Sequence, residues 1–170
     1  MNIPETYDYL IRARRDLWAT LEALPEEVLS RRLLDGSRFH CIKDLLFHIP
    51  EVEDGWINGD ILRDQMVQKT IPALRDSESG PVYASVSLEA LLDYWRLVEQ
   101  NTLTYLARLT EDELKRMVAI EDSQERFKVD GLLWHVMIHE MRHTAQIVVL
   151  LRTQSIKPPS LDLLFYLPSC

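Results

Sequence analysis

Residues 131–152, GLLWHVMIHEMRHTAQIVVLLR, decide how the rest of the chain is read. Leu132, Val136, His139, His143, Ile147 and Leu150 recur at steps of three and four, the rhythm of one helix face turned toward a core, with Gln146 beside Ile147 on the same edge. Lys157-Pro158-Pro159 follows, so the spacing predicts a helix from about Gly131 to Arg152. Two of the apolar-stripe positions are histidines. Four residues apart, they differ by about 40° around the axis and about 6 Å along it, so both imidazoles can reach one cation. Without a shared ion, two buried imidazoles need two separate sets of hydrogen-bond partners, and a shared divalent ion removes that need.

Outward from this helix, three more segments carry the same rhythm. The first, about residues 4–24, places Tyr7, Leu10, Ile11, Leu17, Trp18, Leu21 and Leu24 on one face, with Pro4 suited to its first turn and Pro25 ending it. A short segment, Pro25 to Leu34, leads through Asp35-Gly36-Ser37 into a second helix, about Ile42 to Arg63, carrying Leu45, Leu46, Ile49, Val52 and Trp56. Pro50 lies inside it and is expected to kink it. Residues 68–87, with Pro72, Ser77, Ser79, Gly80 and Pro81, read as a long mobile crossover loop. Ser87 can cap a third helix, about Leu88 to Leu109, striped by Leu91, Leu92, Trp95, Val98, Thr102 and Tyr105. Thr110-Glu111-Asp112-Glu113 is a capping box for a further short turn, and a small hairpin is expected around Glu121 to Phe127. No run of alternating strands is present. The expectation is a single all-α domain over 1–170, a four-helix bundle with one long crossover loop between helices 2 and 3. An apolar tail, Leu161 to Leu167, is expected to lie against the bundle or a partner subunit.

Composition removes several function classes. The chain has 170 residues, with 46% hydrophobic and 27% charged, which suits one globular core. Nineteen Lys and Arg face 27 Asp and Glu, a net charge of −8 that argues against nucleic acid or an anionic bilayer as partner. Two cysteines, Cys41 and Cys170, are too few for a disulfide framework and suggest a reducing, cytoplasmic setting. Residues 1–5 lack a basic and apolar leader, and no purely apolar run exceeds the five residues of Ile147 to Leu151, well short of a membrane span.

A third ligand should come from another helix. His48 sits between Leu45 and Val52 on the core face of the second helix, 91 residues before His139. His40 precedes that helix and is expected to be exposed. Glu51, one turn beyond His48, could accept a hydrogen bond from its ring or take a further coordination position. His135 lies about 80° from His143 and suits a rim role. Cys41 falls about 10 Å from His48 along the helix and is not expected to share the ion. Tyr7, Arg14, Trp56 and Tyr105 share faces with the core and read as packing. His139-Glu140-Met141-Arg142-His143 also matches the zincin signature HExxH, in which the glutamate activates water. The chain nevertheless has Gln146 and Val149 where the extended metzincin form needs glycine and histidine, and its only acid after Glu140 is Asp162.

The run Ile42-Lys43-Asp44-Leu45-Leu46-Phe47-His48, with Leu132 to Gln146 and the spacing between them, resembles the DinB family, the DinB/YfiT-like metalloenzymes, over almost the whole chain. The resemblance implies an up-down-down-up bundle, a three-histidine metal site carried onto His48, His139 and His143, and frequent homodimers. Where the family often shows His-Arg-Gly-Gln, this chain has His143-Thr144-Ala145-Gln146, and Cys41 stands where Ser or Thr commonly opens the helix. Three neutral histidines leave a position open, the catalytic rather than the structural pattern, and suit zinc or nickel, with iron also possible. An open Lewis-acidic ion can lower the pKa of a bound water or thiol. The family includes transferases and isomerases using low-molecular-weight thiols such as bacillithiol or mycothiol. The leading expectation is therefore a thiol S-transferase acting on a small-molecule substrate. The alternatives are a metal-dependent hydrolase and a non-catalytic, metal-stabilised bundle.

Overall fold

The computed structural model describes residues 1–35, 38–75, 85–120 and 125–167. Helix α1 spans Ile3–Glu22, opened by a reciprocal cap in which Asn2 and Glu5 each accept the other's backbone N–H at 3.0 Å, with Pro4 in the first turn. Pro25 precedes the short helix α2, Glu26–Ser30. Helix α3, Ile42–Asp54, runs through Pro50 without ending there.

The second helix departs from expectation at its far end. Its hydrogen bonding changes to a π-helical segment over Gly55–Ile61, followed by a 3-10 turn at Val67–Thr70. The organising group is the fully buried Asp54 carboxylate. It accepts the Asn58 side-chain amide at 2.8 Å, the N–H groups of Val67 and Gln68 at 3.0 and 2.9 Å, and the Tyr94 hydroxyl at 3.0 Å. Four donors satisfy a charge that would otherwise be costly inside a core, and they pin the wound-wide segment to the next long helix.

That helix, α4, covers Leu88–Leu106 and is capped as expected by Ser87 on the Ala90 N–H. Thr110 caps the short α5, Glu111–Lys115. The expected hairpin is present as strands β1, Met117–Ala119, and β2, Arg126–Lys128, antiparallel with Val118 opposite Phe127. Its connection, residues 121–124, lies outside the described residues, as do Gly36-Ser37, the centre of the crossover loop at 76–84, and 168–170 with Cys170. Helix α6, Val129–Thr153, leaves β2 directly and is the longest element. The apolar tail forms a 3-10 turn at Leu163–Tyr166 against α1. There Tyr9 donates to the Leu161 carbonyl and the Tyr166 hydroxyl donates to Asp16, both at 2.6 Å. Leu164 and Phe165 stay exposed.

The architecture is all-α with one two-stranded ribbon. α3 packs on α4 and α6, and α1 packs on α4 and α6. Two apolar clusters fill the interior. One gathers Leu17, Leu21, Leu45, Leu46, Trp95 and Ile147; the other gathers Tyr7, Leu10, Ile57, Tyr105, Leu133 and Met137. Each long helix passes from one cluster to the other, α3 through its π-helical continuation. At the crossing each places polar side chains inward: Arg14, then His48 and Glu53, then Glu99 and Thr102, then His139, Glu140 and His143. No helix among the described residues is long and apolar enough to cross a membrane.

Candidate metal centre

α3 and α6 bring His48, His139 and His143 together. All three are buried, and one ring nitrogen from each lies within 4.8 Å of the others. The Nε2 atoms of His48 and His139 are 3.1 Å apart. Tetrahedral coordination with metal–nitrogen distances of about 2.1 Å sets donor separations near 3.4 Å, so this pair fits a shared ion.

Two oxygens fix the rings. His48 Nδ1 lies 3.2 Å from the Glu51 carboxylate, and His143 Nδ1 lies 2.7 Å from the Gln146 side-chain oxygen. With those nitrogens donating, Nε2 of each ring is unprotonated and carries a lone pair. Both oxygens come from the residue three positions after the histidine, one turn along the same helix. Burial, followed by the neighbouring His143 and His48, pushes the His139 pKa down to about 3. Burial also lowers that of His143. Neutral imidazoles with converging lone pairs are the protonation state a divalent ion requires. Phe39 closes one side, its ring 4.5 Å from that of His48 and 5.6 Å from that of His143.

The other residues singled out in the sequence stand apart from this cluster. His135 is exposed, 5.9 Å ring to ring from His139 and 5.5 Å from Trp56. His40, expected to be exposed, is half-buried because its backbone closes the loop: its carbonyl accepts Leu33 N–H at 2.8 Å and its N–H donates to Asp44 at 2.7 Å. Cys41 is buried at the start of α3, and burial pushes its thiol up to about 11, which leaves it unreactive at neutral pH.

Glu140 decides the zincin reading. Its carboxylate grips the Arg14 guanidinium with two hydrogen bonds, at 3.0 and 2.6 Å, and does not turn toward the histidines. Arg14 also reaches Glu99 at 2.7 Å and Glu53 at 3.7 Å. Glu53 accepts the hydroxyls of Tyr7 and Thr102, and burial raises its pKa. Arg15 adds a second guanidinium on Glu99 from the surface side. Arg14, taken from the sequence as packing, is thus the hub of a buried ion network. Its signal was an arginine at the stripe position between Leu10 and Leu17, matched by acids at stripe positions of the other three helices.

The comparisons with known proteins agree with this architecture. The model of the DinB family matches residues 1–169. No curated protein matches the chain. Among solved structures, a conserved protein from Enterococcus faecalis superposes with a TM-score of 0.70 at 16% identity, over 89% of this chain and 96% of that one. A DinB-like protein from Bacillus cereus gives 0.63 at 17% identity, covering 93% of this chain and 94% of that one. Another from Bacillus subtilis gives 0.63 at 16%, covering 93% and 98%. At these identities the likeness is one of fold.

Proposed function

The chain belongs to the DinB family, and on that premise we propose that it is a metal-dependent enzyme. His48, His139 and His143 would hold one divalent ion, and the chemistry is thiol S-transfer with a low-molecular-weight thiol as co-substrate. The observation that carries the reading is the pair of ring-fixing bonds, Glu51 to His48 and Gln146 to His143, which leave unprotonated Nε2 atoms on two of three clustered rings. Zinc or nickel suits three imidazoles best, with iron next. The ion, when bound, supplies a Lewis acid that lowers the pKa of a group entering its open position.

The chain's own groups define the remainder. Phe39 shields the rings from water. Glu140, committed to Arg14, is not available as the general base that HExxH hydrolysis uses, which favours transfer over hydrolysis. The buried, high-pKa Cys41 is a poor nucleophile, so the thiol is assigned to a co-substrate. The two apolar clusters support an up-down-down-up path. α1 and α6 run from the cluster around Tyr7 and Leu133 to that around Leu17 and Ile147, and α3 and α4 run the opposite way. Exposed Leu164, Phe165 and Leu167 on the tail suit a homodimer contact.

The test is metal content followed by turnover. Protein purified without nickel resin or chelator is expected to carry close to one equivalent of metal, lost in His48→Ala, His139→Ala and His143→Ala. Conjugation of an electrophile with small thiols should then need the metal. Absence of stoichiometric metal, or uptake indifferent to all three substitutions, rejects the site; metal-dependent ester cleavage without any thiol rejects transfer in favour of hydrolysis.

A further inference from the structure

Two guanidinium groups border the histidine cluster. An Nη atom of Arg142 lies 3.4 Å from Nε2 of His143, on the lone-pair side of that ring. Arg38 stacks over Phe39 with its guanidinium carbon 5.4 Å from the ring centre, and Phe39 is the ring packed on His48 and His143. The charge of Arg142 is felt by both His139 and His143, and that of Arg38 by His143. Both arginines are exposed, and among the described residues neither has a carboxylate partner. Arg12, Arg14, Arg15, Arg32, Arg63, Arg96 and Arg116 each pair with an acid, and what sets Arg142 and Arg38 apart from the other arginines without one is their place beside the histidine rings. Glu51, the carboxylate at the cluster, is engaged with His48.

Three neutral imidazoles give a divalent ion no charge compensation, and two guanidinium groups without a carboxylate add to the positive potential in a chain whose net charge is −8. We propose that Arg142 and Arg38 form an oxyanion-binding rim, so that the small molecule entering this site carries a carboxylate or phosphate beside the group that meets the metal. For the thiol reading, the co-substrate is then an anionic thiol. Guanidinium groups take carboxylate and phosphate through paired, charge-assisted hydrogen bonds, which sets the chemical class. This inference rests on the metal reading above.

Cobalt(II)-loaded protein, followed by its visible absorption, separates the two. It is titrated with 3-mercaptopropionate and with 2-mercaptoethanol, which share a thiol and differ in the carboxylate. The acid is expected to bind about tenfold or more tightly, one charged hydrogen bond's worth. That preference should fall to a few-fold or less in Arg142→Ala and in Arg38→Ala, and persist in Arg152→Ala, which removes an exposed arginine nearly three turns further along α6. Displacement of the acid by malonate or by inorganic phosphate supports the rim and tells which oxyanion it prefers; displacement by neither counts against it. Cobalt binding with equal affinity for both thiols, with no response to either, or with a preference untouched by Arg142→Ala and Arg38→Ala, overturns the rim and leaves the metal site standing. Failure to bind cobalt overturns the metal site, and the rim with it.

Discussion

Two polar clusters share the middle of this helical core, and they solve the problem of burial in opposite ways. Around Arg14, one guanidinium meets Glu99 and Glu140 directly and Glu53 at longer range, Arg15 adds charge from outside, and hydroxyls of Tyr7 and Thr102 complete the set. Most donors and acceptors are matched within the protein, with Glu53 Oε2, 3.7 Å from Arg14, left without a hydrogen bond. Around His48, His139 and His143, the balance is missing: the outer nitrogens of two rings are used, and the inner ones face one another. α3 and α6 serve both clusters, and on α6 the neighbours His139 and Glu140 point to different ones. Burial alone therefore does not mark a metal site; a surplus of lone pairs does. Each of the following substitutions or conditions acts on one cluster and should leave the other intact.

The largest effect belongs to the balanced cluster. Arg14→Met leaves Glu140 and Glu99 buried without their shared cation, and is expected to lower unfolding free energy by about 3–5 kcal/mol in denaturant titration. Pairing it with Glu140→Gln should recover part of the loss, since the most tightly held stranded charge is then gone. A single and a double variant of equal stability would show that the network is not one unit. The histidine cluster responds to a ligand instead. Zinc at a hundredfold excess over its dissociation constant should stabilise the folded chain by about 2.7 kcal/mol, seen as a rise in melting temperature that His139→Ala abolishes and Glu140→Gln retains.

Most of this arrangement was legible in the sequence wherever a regular period met an apolar stripe. The four long helices, the caps at Ser87 and Thr110 and the convergence of His48 with His139 and His143 follow from spacing. The π-helical segment was not legible, because it depends on Asp54 collecting donors from Val67, Gln68 and Tyr94, which no local pattern announces. The Arg14 network was missed for a related reason. One arginine on a stripe reads as packing, and only the simultaneous placement of Glu53, Glu99 and Glu140 on three other helices turns it into a network. Glu51 was legible as a ring partner from its place one turn past His48. Gln146 stands in the same relation to His143, but its place at the edge of an apolar stripe drew it toward the core reading.

Those two oxygens allow a finer cut between the clusters. Glu51→Ala and Gln146→Ala should each weaken metal binding about 10–100-fold, by freeing a ring to rotate or change tautomer. Unfolding of the metal-free protein should change far less than in Arg14→Met. Competition against a chromophoric chelator measures the affinity, and an unchanged affinity in both variants would mean that packing against Phe39 alone orients the rings.

Acid should separate the clusters by the sign of their response. His139 is held neutral by burial, its pKa near 3 in the folded chain against about 6.5 when unfolded. Below about pH 6.5 the unfolded chain therefore binds a proton that the folded chain refuses, and stability falls with decreasing pH at up to about 1.4 kcal/mol per unit for this one group. Glu53 acts oppositely. Burial raises its pKa, so as pH drops toward the ordinary carboxylate value the folded chain takes up a proton while the unfolded carboxylate is still ionised, and the penalty of ionising it inside the core disappears. Below about pH 6.5 and above the ordinary carboxylate value, the two slopes oppose each other in the metal-free protein wherever Glu53 is protonated only in the folded chain. Denaturant titrations across that window should show a shallower acid loss in His139→Ala and a steeper one in Glu53→Gln than in the parent. Equal slopes in all three would mean that neither buried group keeps its neutral form there. Saturating zinc raises the stakes for the histidines alone, because acid then has to release the ion before it can protonate them, while the Glu53 response should be the same with zinc or without it.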